Sequence, residues 1–161
     1  MGLLWCLSAV MLQAARVDTV LVRSAAMNKD VKVVYVLPDK AIGKQACPVV
    51  YLLHGYGGNA RSWVQLKPEL PQMADEKGII FVCPDGKNSW YWDSPENPAY
   101  RYETFVTSEL VKYTDGNYAT IPDSKARAIS GLSMGGHGAL WSAIRHKDVF
   151  GAAGSMSGGV D

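Results

Sequence analysis

Apolar and polar positions along the chain fall into short runs of two kinds, and the two kinds alternate. Val17 to Arg23 and Val31 to Leu37 show partial alternation and many β-branched residues, and Pro38-Asp39 closes the second run. They predict an antiparallel hairpin that opens the domain. Pro48-Val-Val-Tyr-Leu-Leu53 has no alternation, as expected of a strand buried on both faces of a parallel sheet. A helix is predicted around Leu70 to Lys77, stopped by Gly78. A second buried strand, Ile79 to Cys83, then ends in the turn residues Pro84-Asp85-Gly86. Tyr102, Phe105, Val106, Leu110 and Tyr113 recur at helical spacing, with Glu103, Thr107, Glu109 and Lys112 mostly elsewhere, which predicts an amphipathic helix lying on a sheet. Ala126 to Ser130 reads as a third buried strand. Ala139, Leu140, Ala143 and Ile144 mark another helix, and Phe150 to Met156 a fourth parallel strand of small residues. Strand alternating with helix implies right-handed βαβ units, so the expected class is α/β, a mostly parallel central sheet flanked by helices. No internal repeat, low-complexity tract or linker divides residues 16–161.

Chemistry concentrates where two of these strands end. Gly131-Leu132-Ser133-Met134-Gly135 is a G-x-S-x-G between a predicted strand and a predicted helix. A sharp strand-to-helix turn brings backbone against backbone, so side chains two before and two after the serine would collide. Ser133 is thereby presented at the top of the sheet, near the positive end of a helix, where charge developing in acyl transfer is favoured. The alternative, a Gly-Ser turn without catalytic meaning, lacks a reason for this strand and helix context. His54-Gly55-Tyr56-Gly57-Gly58 follows another buried strand. A tetrahedral oxyanion needs two backbone N–H groups aimed at it in advance. Tyr56 N–H and Met134 N–H are the expected pair. The segment has neither the G-x-G-x-x-G spacing nor the lysine of nucleotide-binding loops. His54 is expected to anchor its loop, not to act as a base.

Composition narrows the ligand. With 48% hydrophobic and 10% aromatic residues the chain is an ordered globular domain, and its 16 basic and 15 acidic residues nearly cancel without any like-charge run. Nothing suggests a nucleic-acid partner, and a small neutral or weakly charged ligand is expected. Gly2 to Ala15 is mostly apolar and ends in small residues; it is too short to span a membrane and reads as a partial secretory signal without its basic n-region, or else as a packed N-terminal helix. The signal reading implies a secreted or periplasmic protein, with a cytoplasmic one as the alternative. Cys6, Cys47 and Cys83 give an odd count, and Cys6 falls in that leader. An offset of about five residues at roughly 3.3 Å each keeps Cys47 and Cys83 from bridging, so both are expected to be free.

The order of these motifs resembles the esterase family of α/β-hydrolases that includes esterase D (S-formylglutathione hydrolase), tributyrin esterase, feruloyl and acetyl-xylan esterases and the antigen 85 mycolyltransferases. The resemblance runs from about Val31 to Gly159. It rests on Val-Val-Tyr-Leu-Leu-His-Gly-Tyr-Gly-Gly58, Pro84-Asp-Gly with Asn88-Ser-Trp-Tyr91 and Asp93-Ser94-Pro95, Tyr102-Glu103-Thr104, and Gly131-Leu-Ser-Met-Gly-Gly-His-Gly-Ala139. It implies an α/β-hydrolase fold and ester hydrolysis through an acyl-serine intermediate at Ser133, with no metal and no cofactor. It also implies that the triad acid and histidine follow the serine, in that order, beyond the end of this sequence. The chain is therefore expected to stop after about the sixth strand and to be nearly inert by itself, because a serine without a base is a poor nucleophile. Asp161 follows the last predicted strand, but family order argues against it as the acid. His137, four residues into the nucleophile helix, is expected beneath the elbow, and His146 to cap or solvate that helix. Trp90, Tyr91 and Trp92 could stack on sugar rings or feruloyl groups, or equally pack over the core. Glu103 has no assigned role. The primary expectation is a serine carboxylesterase, with acyl or feruloyl esters of carbohydrates as candidate substrates and an acyltransferase or a non-catalytic degenerate hydrolase as alternatives.

Overall fold

The computed structural model describes residues 15–159, so the segment expected to be a partial secretory signal or a packed helix lies outside the described residues as far as Ala14, with Cys6, as does Asp161. One sheet of six strands carries the fold, in the order β1-β2-β4-β3-β5-β6. Its strands are β1 (Arg16–Ser24), β2 (Lys29–Leu37), β3 (Val49–Leu53), β4 (Ile80–Pro84), β5 (Arg127–Leu132) and β6 (Ala152–Met156). β1 pairs antiparallel with β2 and β2 antiparallel with β4, whereas β4, β3, β5 and β6 run parallel. The opening hairpin and the four parallel strands are those the apolar runs predict. Chain order moves from β3 outward to β4 and then back across β3 to β5. The reversal leaves a crevice at the C-terminal ends of β3 and β5, where sheets of this kind bind ligands.

The unalternating runs are explained by two apolar layers. Val33, Tyr35, Val49, Tyr51, Leu53, Ile80 and Val82 face one core; Val34, Val36, Leu52, Phe81 and Cys83 face the other. Successive side chains point to opposite faces of a strand, so a strand covered on both sides must be apolar throughout. The second core is closed by α2 (Ser62–Leu66) and α3 (Leu70–Lys77), preceded in the chain by the short α1 (Asp39–Ile42). Gly78 stops α3 in the left-handed conformation, at φ 63°. The first core is closed by residues 102–117 and by α6 (Met134–Arg145). Residues 102–117 depart from a plain amphipathic helix: α4 (Tyr102–Thr104) and α5 (Leu110–Asn117) flank a π-helical turn at Phe105–Glu109. Within that turn the Thr107 hydroxyl donates to the Glu103 carbonyl at 2.8 Å, competing with the backbone ladder. Cys47 and Cys83 are buried and free, and burial pushes the Cys83 thiol up to about 12. Among the described residues no helix is long and apolar enough to cross a membrane.

α6 packs through small residues, with Gly135, Gly136, Gly138, Ala139 and Ser142 buried. Its far end is held by Glu103. That carboxylate is 8% exposed and accepts from Trp141 Nε1, Arg145 Nε and His146 Nε2, each at 2.8 Å. The expectation that His146 caps or solvates its helix is therefore corrected, because its ring turns to a carboxylate 43 residues away in sequence. Burial would raise the Glu103 pKa, but the three donors outweigh it and hold the group below its ordinary value. A carboxyl depressed in the folded state contributes stability above its unfolded pKa and loses that contribution as pH falls through the folded value. Glu103→Gln is expected to lower stability at pH 7 by about 1.5–3 kcal/mol, the range for hydrogen bonds to a charged group. It should also make the loss of stability below about pH 5 shallower than in the wild type, as read from urea midpoints across that range.

Candidate active site

Leu53 at the end of β3 lies opposite Gly131 of β5, so the chains leaving these two strands emerge side by side. Ser133 follows β5 directly. It is exposed and caps the N-terminus of α6 with φ 52° and ψ −116°, a conformation that costs an L-residue of order 1–3 kcal/mol. Its own N–H donates to the Met156 carbonyl of β6 at 2.8 Å, which locks the bend to the sheet. The flanking glycines are dictated by space. A Cβ on Gly131 would sit 2.2 Å from the Gly135 carbonyl oxygen, and one on Gly135 would sit 2.1 Å from that of Leu53. The sharp bend predicted from G-x-S-x-G is present.

The 54–58 segment leans against this bend. A Cβ on Gly55 would meet the Ser133 Cβ at 3.6 Å, so the glycine-rich loop and the serine share one end of the sheet. Gly58 N–H donates to the Gly55 carbonyl, closing a turn with Tyr56 and Gly57 at its corners. Among the described residues neither Tyr56 N–H nor Met134 N–H has a protein acceptor; Met134 follows Ser133 in the chain, and Tyr56 follows Gly55, which packs against Ser133. Met134 is buried, and Tyr56 is 66% exposed.

His54 is buried and holds its loop as expected. Nε2 accepts from Gly86 N–H at 2.9 Å, so the ring proton sits on Nδ1 and is donated to the Gly55 carbonyl at 2.7 Å. The neighbouring Asp85 carboxyl lies well below the usual range; burial would raise it, but the Lys87 ammonium and backbone N–H that donate to it outweigh that effect. His137 lies beside the aromatic loop. Its Nε2 accepts from Trp92 Nε1 at 2.9 Å, which leaves Nδ1 to donate to the Gly159 carbonyl at 2.7 Å. Both ring nitrogens of His54 and of His137 are thus committed away from the Ser133 hydroxyl, and His146 is bound to Glu103.

The aromatic loop divides. Trp90 and Trp92 are 38% and 44% exposed and, with His137 and Gly159, line an open depression of about 280 Å³. Tyr91 corrects the expectation of a ligand contact. It is fully buried, its hydroxyl donates to the His54 carbonyl at 3.2 Å, and its ring fills the space a Cβ on Gly138 would need. Trp90 and Tyr91 have φ of 56° and 60°, rare for bulky residues, and this bend turns the two rings to opposite sides. Asp93 accepts from Thr104 N–H and Oγ1 and so fixes the loop to the start of α4. Sequence reasoning missed Asn88, whose Oδ1 accepts from Gly57 N–H at 2.8 Å, and the Glu103 cluster. The Asn-Ser pair before the tryptophans signals a turn but not its partner.

This arrangement is the α/β-hydrolase fold with a serine at the bend between β5 and α6. The chain belongs to the esterase family: residues 24–161 match the family described as "Putative esterase". It is 34% identical over 155 residues to a diacylglycerol acyltransferase/mycolyltransferase Ag85A of Mycobacterium gordonae, covering 90% of this chain and 43% of the relative. It is 29% identical over 136 residues to an acetyl esterase of Caldicellulosiruptor saccharolyticus, covering 79% and 50%. Among solved structures it resembles a ferulic acid esterase with a TM-score of 0.78 and 31% identity, covering 89% of this chain and 60% of that one. An S-formylglutathione hydrolase from Agrobacterium tumefaciens gives 0.77 and 26%, covering 88% and 59%. The chain spans half or less of the length of these curated relatives.

The bend makes opposite demands at neighbouring positions. Ser133→Gly is expected to raise the melting temperature, because glycine relieves about 1–3 kcal/mol of backbone strain. Gly135→Ala should cost more than about 3 kcal/mol or abolish soluble folding, since backbone must move to admit the methyl group. Thermal unfolding of the two variants checks both.

Proposed function

We propose that the protein is a serine carboxylesterase in which the Ser133 hydroxyl attacks the ester carbonyl carbon. The oxyanion that forms is held by Tyr56 N–H and Met134 N–H. The alcohol departs with a proton, an acyl-serine remains, and water then releases the acid. The observation that carries this reading is the exposed, strained Ser133, with Gly55 of the neighbouring loop against its Cβ. The base and the acid that orients it are supplied from outside the described residues, since His54, His137 and His146 are bound elsewhere. Residues 1–161 alone would then hydrolyse esters close to background.

The substrates fall among acyl or feruloyl esters of carbohydrates. Support comes from the exposed Trp90 and Trp92 at the C-terminal edge of the sheet and from relatives named acetyl esterase and ferulic acid esterase. With Gly2 to Ala15 read as a partial secretory signal, such substrates fit a secreted or periplasmic protein, with a cytoplasmic one as the alternative. A second reading, acyl transfer to an alcohol in place of water, is favoured by the 34% identity to a mycolyltransferase. A phosphonate ester probe on the full-length protein is expected to leave an adduct on Ser133 and none on Ser133→Ala, read by peptide mass spectrometry. An unmodified Ser133 ends the esterase reading. Adding a sugar or alcohol acceptor separates the two chemistries, because a transferase yields mainly the new ester and a hydrolase mainly the free acid.

A further inference from the structure

The 54–58 segment is tied to the loop after β4 at three points. Gly86 N–H donates to His54 Nε2, the Tyr91 hydroxyl to the His54 carbonyl, and Gly57 N–H to Asn88 Oδ1. The first two secure the end of β3. Only the third reaches the outer side of the turn that carries Tyr56.

Packing does not hold that outer side. A Cβ on Gly57 would meet nothing within 4 Å, and the Tyr56 ring is mostly exposed. Gly57 has φ 77°, the value of the third residue of a type II turn, and the Gly58 N–H to Gly55 carbonyl bond closes that turn. In the alternative type I turn the peptide between Tyr56 and Gly57 is flipped, and its N–H points away. The Asn88 oxygen accepts only from the type II orientation.

We infer that Asn88 is a positioning residue for the oxyanion site: by accepting from Gly57 N–H it pins the outer side of the 55–58 turn, and so keeps Tyr56 N–H, one residue earlier in that turn, in place for the oxyanion oxygen that forms at Ser133. The inference rests on the esterase reading for its effect on rate. Its mechanical part, the holding of the turn, is independent of that reading. A donor misaimed by loss of Asn88 weakens binding of the transition state and leaves binding of the ground-state ester alone, so kcat changes and KM does not.

The test compares full-length wild type, Asn88→Ala and Asn88→Asp by steady-state kinetics on a simple acyl ester and by amide exchange at Tyr56 and Gly57. In Asn88→Ala, kcat is expected to fall roughly threefold to tenfold, the size of one exposed hydrogen bond, with KM unchanged within about twofold. The Gly57 amide should exchange faster while amides of β3 and β4 keep their protection. Asn88→Asp, which retains an acceptor oxygen, should restore protection at Gly57. A loss confined to KM, an unaltered kcat, or Gly57 exchange no faster than wild type overturns the inference. A wild-type protein that neither turns over esters nor reacts with the phosphonate probe defeats the esterase reading alone. The holding role is then decided by exchange: faster in Asn88→Ala and restored in Asn88→Asp supports it, and no change refutes it.

Discussion

The backbone of Gly135 passes so near the Leu53 carbonyl that no side chain fits between them, and the site is organised around that approach. It brings the first turn of α6 against the end of β3, and Gly131 admits it by yielding its own side-chain space to Gly135. Ser133, between the two glycines, has no relaxed conformation open to it. Its positive φ is over-determined by the bond from its N–H to the Met156 carbonyl and by the start of the helix. The stability of two apolar layers is what holds the hydroxyl out in solvent.

A second constraint acts through the loop after β4. It uses one fully buried tyrosine as an anchor, threaded between Gly86 and Gly138, and turns the tryptophans on either side outward. The same loop holds the glycine-rich turn beside Ser133 and, through Trp92 and His137, touches the nucleophile helix. Three segments remote in sequence are thereby fixed to one another by a few hydrogen bonds. The Glu103 cluster does the same for the far end of α6, joining it to the start of α4.

Sequence and structure diverge at identifiable places. Strands β3 and β4 were legible because burial on both faces demands unbroken apolar runs, β2 because of its partial alternation and β-branched residues, and α3 because Gly78 stops it in a left-handed conformation. The π-helical turn at Phe105–Glu109 was not legible, since its apolar positions keep nearly helical spacing and the distortion involves a hydroxyl bond within the helix. Tyr91 and Trp92 look alike as letters in an aromatic run. Their fates differ because consecutive positive φ values at Trp90 and Tyr91 break the alternation that composition would suggest.

What the sequence determined by itself was local and steric: the alternating elements, the glycines on either side of Ser133, and the absence of nucleotide-loop spacing after His54. These follow from backbone geometry over a few residues, where each side chain's size and branching act directly. Only the tertiary structure decided which histidine nitrogens are occupied, where Glu103 finds its donors, which aromatic ring is buried, and that Asn88 reaches Gly57. Apart from the local bond from His54 to Gly55, those pairings join residues 22 to 45 positions apart, and their hydrogen bonds exist only once the sheet and its two layers have set the separation of the elements.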